Sequence, residues 1–298
     1  MNKWLWLLLI IMCWTAAGYT ISNHQQAQDK NIPSLTTKAD RIVSLAPNLT
    51  EILFALGLEK EIVRVTLFSD YPPAALKKPK IGTFWQPNIE AIIAAKPNLI
   101  VTLAFEQQKN LAERLKRINY NCVTVNIEKV NDLFEAIETI GIATSKQSKA
   151  NELVINIKEK LDKLSALVST ERKVRVLWVV QREPLRVAGQ NTFINEMIEL
   201  AGGENAISST LHKYPPIGAE QVIACGADVI IEPSMQQDDL IAQQNKALQY
   251  WSRFENIPAV ANKRIYTIDG DVVSRLSPRL YDGIEIIAEC LRPELFNN

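Results

Sequence analysis

Histidine and cysteine are the residue types that most often hold metals or act as nucleophiles, and this sequence has few of either. The two histidines, His24 and His212, are too few for a histidine-based metal site. The four cysteines show no CxxC spacing, so neither a zinc motif nor a redox motif is predicted. Three cysteines remain if Cys13 is removed with a leader, so at least one is free or pairs between molecules. Cys122 and Cys225 stand next to strand-like runs, and we interpret them as small buried apolar residues.

Motifs of the common enzyme classes are absent as well. The sequence contains no GxSxG, GxGxxG, HExxH or P-loop pattern, and two histidines do not supply a Ser-His-acid set. Lys plus Arg and Asp plus Glu number 33 each, which gives a formal net charge of zero, and no basic run is interleaved with aromatic residues. We therefore expect neither an enzyme nor a nucleic-acid-binding protein, and no catalytic cofactor.

Aromatic side chains stand outside the periodic segments in two loops of the first half. Tyr71 lies in the run SDYPP, and Trp85 lies in the run GTFWQP. Because aromatic residues outside helices and strands lack an obvious role in the core, we interpret both runs as candidate ligand-binding loops.

The segments between such loops read alternately as strands and helices. Buried-type runs at 42–45 and 99–103 alternate with helical patterns. These patterns lie at 89–95, 107–118, 130–140, 219–224 and 236–250, and the stretch 269–277 reads as a loop. Alternation of this kind predicts an α/β fold with mostly parallel sheets.

Two segments of the sequence are similar to each other. The first begins at residue 90 and the second at residue 220, which is an offset of 130 residues. Residues 90–102 read EAIIAAKPNLIVT and residues 220–232 read EQVIACGADVIIE. Both give an acid, a short helix, a helix-breaking pair and a buried strand. The repeated order favours two similar lobes, although chance similarity between generic α/β segments is the alternative.

A long amphipathic stretch lies between the two repeats. Its apolar residues recur in steps of one, three and four from Ala150 to Leu167, and it contains neither Gly nor Pro. We interpret it as one long backbone helix that joins the lobes; a surface helix packed on one lobe is the alternative. The predicted domains are a first lobe at 40–144, the linking helix at 145–170 and a second lobe at 171–298.

The first residues predict export. Lys3 and the apolar run 4–14 precede small residues that suit cleavage after Ala17, so we interpret 1–17 as a signal peptide. Lipidation at Cys13 and an uncleaved anchor are alternatives. Residues 18–39 are polar and aperiodic, which predicts a flexible leader. The folded part would lie in the periplasm or at the outer face of the cytoplasmic membrane.

Several motifs resemble those of the vitamin B12-binding periplasmic proteins. They are RIVSLAPNLTE at 41–51, SDYPPAA at 69–75, WQPNIEAIIAAKPNLI at 85–100, AGGEN at 201–205 and RLSPR at 275–279. These proteins belong to the helical-backbone class (class III) of ABC-transporter solute receptors, which also includes siderophore and haem receptors. The resemblance covers almost all of 41–295. It implies a receptor that captures its ligand between two lobes and delivers it to a permease.

The resemblance also implies a corrinoid ligand, vitamin B12 or another cobalamin, with no protein ligand to cobalt. A corrin is large, flat and partly apolar with a rim of amides, so it needs aromatic surface and a few polar groups. Tyr214 stands where well-known members have Trp, and Ala201 stands where some have a Cys that pairs with one matching Cys290. The implied ligand-binding residues are Pro47, Asn48, Tyr71 and Trp85 from the first lobe, and Tyr214, Asp271 and Arg275 from the second.

Glu90 and Glu220 begin the repeated helix of each lobe. In the family that this sequence resembles, matching acids dock on arginines of the permease dimer, which implies the same role here for a receptor that is monomeric when free. A structural explanation stays open, because an acid in the first turn of a helix also favours the helix dipole.

Other functions stay open. A ferric siderophore or haem receptor of the same class would want a more basic cleft, which Arg275 and Lys213 do not exclude. An exported α/β enzyme would need a nucleophile–base pair, and a structural adhesion protein is a further alternative. A single helix between the lobes predicts small lobe movements on binding.

Overall fold

The computed structural model describes residues 39–169, 172–235 and 239–296. Its first sheet has four parallel strands in the order β2-β1-β3-β4. β1 and β3 are almost wholly buried, as expected for parallel strands covered on both faces. The elements of this lobe are β1 (Ile42–Ser44), α1 (Pro47–Ala55), β2 (Ile62–Arg64), α2 (Pro73–Leu76), α3 (Ile89–Ala94), β3 (Leu99–Leu103), α4 (Glu106–Arg117), β4 (Cys122–Val125) and α5 (Val130–Ala143).

The second sheet is mixed, in the order β6-β5-β8-β9, with β7 also paired to β5. Only β6 runs antiparallel to its neighbour among the strands described. The elements of this lobe are β5 (Val174–Arg182), β6 (Leu185–Val187), α7 (Phe193–Leu200), β7 (Gly203–Asn205), α8 (Ala219–Ala224), β8 (Val229–Ser234), α9 (Leu240–Trp251), α10 (Pro258–Ala261), β9 (Ile265–Asp269), α11 (Gly270–Val273) and α12 (Leu280–Leu291).

One long helix, α6 (Gln147–Val168), joins the lobes. Its 22 residues extend over about 33 Å. It packs against α5 of the first lobe and against α7 and α12 of the second. The predicted backbone helix and the predicted α/β class are therefore confirmed. Its buried face follows the predicted pattern except at the end, where Val168 is buried and Leu167 is exposed.

Helices α5 and α6 meet at a glycine. A Cβ atom added to Gly141 would lie 2.4 Å from the Cβ of Ala150, which is far closer than two carbon atoms can approach. The absence of a side chain at Gly141 therefore lets the two helices pack in direct contact.

The repeat seen in the sequence is also a repeat of structure. Helices α3 and α8 correspond at the offset of 130, and so do the first residues of β3 and β8, Leu99 and Val229. Each helix is followed by a residue with positive φ, 46° at Lys96 and 55° at Gly226. The two lobes thus share this helix–strand unit.

Matching hydrogen bonds hold the repeated parts in place. The Nε of Arg41 donates to a carbonyl oxygen at the C-terminal end of α3, and the Nε of Arg175 donates to the corresponding oxygen of α8, at 3.2 Å in both cases. The backbone N–H groups of the same arginines donate to the side chains of Asn98 and Asp228, at 3.0 Å each. Chance similarity would not reproduce these contacts, because they join residues far apart in the sequence.

Short elements differ from the sequence prediction. The stretch 269–277, predicted as a loop, contains the one-turn helix α11, which the side chain of Asp269 caps by accepting from the N–H of Asp271 at 2.8 Å. Helix α2 and strand β7 were not predicted either, because segments of three or four residues carry no measurable periodicity.

Some predictions concern residues outside the described part of the chain. These are the signal peptide at 1–17, with Cys13, and the leader up to residue 38. Residues 236–238, where the helix ending at Tyr250 was predicted to begin, lie outside it as well. Within 39–169, 172–235 and 239–296, no helix combines the length and the apolar character that crossing a membrane requires.

Candidate functional site

An aromatic surface forms where strands of the first sheet end. Trp85 is 57% exposed, and its ring centroid lies 4.4 Å from that of Phe84 and 5.3 Å from that of Phe105. We call Phe84, Trp85 and Phe105 the aromatic shelf. Phe105 stands two residues after β3, at the residue before α4 begins, so the shelf joins a loop to a strand end. Phe84 and Phe105 are half-buried, so Trp85 supplies most of the exposed ring area that a flat ligand could cover.

A buried glutamine holds the shelf in place. The Nε2 of Gln108 donates to the carbonyl oxygens of Leu45, after β1, and of Phe84, at 2.6 and 2.9 Å. Its Oε1 accepts from the N–H of Leu103 and from the hydroxyl of Thr102, at 2.8 Å each. One side chain therefore ties together the ends of β1 and β3 and the loop that carries the shelf.

A cluster of charges lies between the lobes, buried except for Asp70 at its edge. Glu51 of α1, which is 3% exposed, accepts from the Nε and Nη2 of Arg279 at 2.8 and 2.7 Å. Arg279 also pairs with Asp271 at 2.8 Å, and Arg275 pairs with Asp271. Arg275 lies 3.5 Å from Asp70 and 3.7 Å from Glu51. We call these five residues the inter-lobe ion cluster, because they come from both lobes.

The cluster fixes the protonation of its central arginine. Burial by itself lowers the pKa of Arg279, but hydrogen bonds and charge attraction from Glu51 and Asp271 outweigh burial and raise that pKa above its ordinary value. Arg279 therefore stays charged. Its guanidinium carbon also lies 3.9 Å from the centroid of the Tyr71 ring, which adds a cation–π contact between the lobes.

Three further hydrogen bonds join the lobes. The Nδ2 of Asn48 donates to the carbonyl oxygen of Leu276 at 3.3 Å, and the N–H of Val130 donates to Glu196 at 2.7 Å. The Nζ of Lys213 donates to Glu128 at 2.7 Å, and this hydrogen bond raises the pKa of Lys213. The lobes thus touch through polar groups carried by loops and helix ends.

The structure brings together only part of the predicted ligand-binding set. Asn48, Tyr71, Asp271 and Arg275 gather at or beside the inter-lobe ion cluster. Trp85 lies on the aromatic shelf. Pro47 is half-buried at the start of α1, and Tyr214 is half-buried on the loop whose Lys213 reaches the first lobe. Burial raises the pKa of the Tyr214 phenol, so its hydroxyl stays neutral.

A small recess opens at the carboxyl ends of β5, β8 and β9. Arg182, Glu232 and Thr267 line it, and the Nε of Arg182 donates to Glu232 at 2.9 Å. Its volume is about 150 Å³, below the roughly 300–1,000 Å³ of ordinary ligand pockets. A corrin ring does not fit there.

Glu90 and Glu220 occupy matching places on the repeated helices. Each lies in the first turn of its six-residue helix, and both are exposed. The side chain of Asn88 caps α3 by accepting from the N–H of Ala91 at 2.8 Å, so α3 has a cap besides the acid.

Comparison with known proteins decides the family. A family model described as periplasmic binding protein matches residues 42–272, which is more than half of the chain. The chain belongs to the periplasmic binding protein family. Families of this kind bind solutes and do not catalyse reactions, so the prediction that the chain is not an enzyme is confirmed.

Relatives of this periplasmic binding protein connect it with ABC transport. A vitamin B12-binding protein of Vibrio parahaemolyticus is 28% identical over 254 residues, which are 84% of this chain and 88% of the relative. An uncharacterized ABC transporter substrate-binding lipoprotein of Bacillus subtilis is 31% identical over 265 residues, 86% of this chain and 81% of the relative. The resemblance to the vitamin B12-binding family is thereby confirmed, and a permease partner and a small-molecule ligand follow from the family.

A solved structure agrees with the fold. A periplasmic solute-binding protein of Staphylococcus epidermidis, described as possibly iron-binding, is 31% identical with a TM-score of 0.73. The match covers 85% of this chain and 99% of that one. Proteins of this fold therefore include relatives named for different ligands, and the family alone does not choose between them.

Sequence reasoning missed three residues of this periplasmic binding protein that shape the site. Phe105 could have been found by the argument used for Trp85, because it is an aromatic residue outside the periodic segments, between a predicted strand and a predicted helix. Gln108 looked like a surface residue of a polar helix. Glu51 was one acid in the apolar helix EILFALGLE, and a buried acid there signals a partner elsewhere in the fold.

Metal and thiol chemistry find no support in the described residues. No group of three or more His, Cys, Asp or Glu side chains there could hold a metal ion. Cys122, Cys225 and Cys290 are free and buried, as the interpretation of Cys122 and Cys225 as small apolar residues expected.

Proposed function

We propose that this periplasmic binding protein captures a corrinoid between its lobes and delivers it to the permease dimer of an ABC importer. The observation that carries the proposal is the aromatic shelf, with Trp85 largely in solvent beside Phe105. A corrin ring is wide and flat and would bury such a surface. The vitamin B12-binding relative supports the same ligand class.

The charges between the lobes support a ligand without net charge. The inter-lobe ion cluster contains three carboxylates and two guanidinium groups, so its formal charge is −1. A ligand with free carboxylates, such as haem, would meet repulsion there. Amide groups on the rim of a corrin can accept from Arg275 and donate to Asp271 without adding charge.

An iron-bearing ligand is the second candidate. The Staphylococcus epidermidis protein described as possibly iron-binding supports it, because it is 31% identical over nearly the whole of its length. A ferric siderophore would use the same groups between the lobes.

Calorimetric titration of residues 40–298 tests the ligand. The ligands are cyanocobalamin, cobinamide, ferrichrome as a ferric siderophore, and haem. We expect saturable one-to-one binding of a corrinoid with a submicromolar dissociation constant. Binding of ferrichrome or haem, with no heat from either corrinoid, would keep the transport role and change the ligand.

Truncation of Trp85 is the first prediction. Trp85→Ala should weaken corrinoid binding by about tenfold or more, because a large ring that the ligand covers is lost. Ile118→Ala is the matched control, since Ile118 is also about half exposed but lies at the end of α4, away from the shelf. Equal corrinoid affinities of the two variants would show that the aromatic shelf is not part of the binding site.

Glu90 and Glu220 supply the proposed contacts with the permease. Both are exposed at matching places, one in each lobe, and an acid on each lobe suits basic groups on a dimeric partner. We propose that the free receptor is a monomer, and that the segment 1–17 directs it across the cytoplasmic membrane.

A further inference from the structure

Helices α3 and α8 present the same pattern of burial to their surroundings. Ile92 and Val222, at matching positions, are fully buried. The next residues, Ile93 and Ile223, are 36% and 52% exposed. Each short helix therefore anchors itself by one apolar side chain and leaves a second, branched apolar side chain in solvent.

The exposed isoleucines stand beside the acids. Ile93 follows Glu90 by three residues, and Ile223 follows Glu220 by three. Residues three apart on a helix are neighbours on one side of it. Each lobe thus offers an acid and an apolar side chain one turn apart on a single exposed surface.

One exposed isoleucine needs no explanation, since folded proteins expose many apolar atoms. Here the same pair occurs on both lobes, although neighbouring positions of the repeat differ. Lys96 corresponds to Gly226 and Asn98 to Asp228. Within the helices Ala94 also matches Ala224, whereas Ala91 corresponds to Gln221. The acid and the exposed isoleucine thus belong to a partly repeated helix, on a surface that the internal packing leaves uncovered.

We infer that Glu90 with Ile93, and Glu220 with Ile223, are two copies of one docking element. The partner that fits them is a dimer of identical subunits, each offering a basic side chain next to an apolar recess. A repeated surface suits a two-fold partner, because both copies can make the same contacts at once. The acids supply charge complementarity, and the isoleucines supply the apolar area that charge alone lacks.

This inference rests on the proposed role in delivery to a permease, and it adds the isoleucines and the paired recesses to that role. The apolar contact would set how long the complex lasts, since buried anchors act mainly on dissociation. The acids would set orientation and the rate of encounter.

Photo-crosslinking in the cells that naturally make the chain tests the inference. p-Benzoylphenylalanine is placed in the full-length protein at position 93, 223, 90, 220 or 155, one at a time. Ile155 lies on α6 and is 56% exposed, so it is a control for exposed isoleucine. We expect positions 93 and 223 to give adducts with the same ABC permease polypeptide, identified by mass spectrometry, and position 155 to give none.

The pattern of adducts distinguishes the docking role of the isoleucines from delivery to a permease. No permease adduct from 93 and 223, with adducts from 90 and 220, would overturn the docking role of the isoleucines and leave delivery intact. No permease adduct from any of the four positions would overturn delivery as well. Adducts of 93 and 223 with two different polypeptides would overturn the two-fold partner.

A binding measurement shows how much each exposed isoleucine contributes to the affinity for the permease. With the identified permease in nanodiscs, Ile93→Ser and Ile223→Ser should each weaken docking about tenfold, as expected for loss of an interface anchor. Ile155→Ser should leave docking unchanged. Calorimetry with cyanocobalamin on the same variants should show unaltered ligand binding, because α3 and α8 are not part of the aromatic shelf. Wild-type docking by both serine variants would refute the inference.

Discussion

At the scale of single residues, the stability of the molecule depends on charges buried between the lobes. Glu51 is almost completely shielded from water, and Arg279 provides two of its hydrogen bonds. A carboxylate in such a place is tolerated only because it is paired.

Loss of Arg279 should therefore be costly. Arg279→Ala should lower the free energy of unfolding by about 3–5 kcal/mol, because it leaves the carboxylate of Glu51 buried without its main partner. The control is Arg172→Ala. Arg172 pairs with Asp228 at 3.3 Å, but its side chain is 82% exposed, so we expect a change below about 1 kcal/mol. Urea unfolding followed by circular dichroism measures both, and similar losses would contradict the prediction.

The buried thiols should make the protein sensitive to alkaline pH. Burial raises the pKa of Cys122 to about 11 and that of Cys290 to about 12, from an ordinary value of 9.0. Because the pKa of each thiol is raised in the folded state, its contribution to the free energy of unfolding is fully present below pH 9. That contribution is lost as the pH rises through the folded-state pKa values. At pH 10 each thiol should account for about 1 kcal/mol of lost stability.

The test measures how steeply the free energy of unfolding changes with pH. Cys122→Ala should flatten the fall in unfolding free energy between pH 8.5 and about pH 10.5, whatever its effect at neutral pH. Since Lys and Tyr titrate in both proteins, the difference between the two slopes isolates the thiol. Identical slopes would show that the Cys122 thiol does not titrate as described.

At the scale of elements, the contact between α5 and α6 fixes how the linking helix sits on the first lobe. Gly141→Ala should destabilise the protein, although alanine favours a helix by about 1 kcal/mol, because the added Cβ meets Ala150 and overpacking costs about 1–3 kcal/mol. At Gly218 an added Cβ would meet nothing within 4 Å, so Gly218→Ala is the control. Thermal unfolding compares the two. A higher melting temperature for Gly141→Ala would mean that the helices separate easily.

The elements also show what a sequence can predict. Helix 219–224 was predicted with the bounds that the structure has, and α3 was predicted to within one residue, because both rest on local apolar patterns and local helix breakers. The partner of Glu51 could not be found in this way, since Arg279 lies 228 residues further along the chain. Trp85 was a candidate from its loop, whereas Gln108 carries no local sign of its contacts across the sheet.

At the scale of the whole molecule, two features oppose large movements of the lobes. One is the single helix α6, which packs on both lobes, and the other is the inter-lobe ion cluster. The domain limits at 144 and 170 stay a prediction, since the chain between the lobes is continuous helix for most of that stretch.

Small-angle scattering tests the rigidity. With saturating cyanocobalamin, we expect the radius of gyration to change by less than about 1 Å, as in complexes whose partners are preformed. The Arg279→Ala variant, which lacks the tie between the lobes, should show a larger difference between free and bound forms. A large compaction of the wild-type protein would contradict this prediction.

The pairing of Glu51 with Arg279 has a consequence for biosynthesis. Ribosomes make the chain from its N-terminus, so the first lobe exists for some time before residue 279 has been added. During that time the carboxylate on α1 has no cation to meet, and the apolar helix around it cannot settle at full stability. We therefore expect a nascent or truncated chain to be less compact than the finished protein, and an incomplete product to be cleaved more readily by proteases until residue 279 has been added.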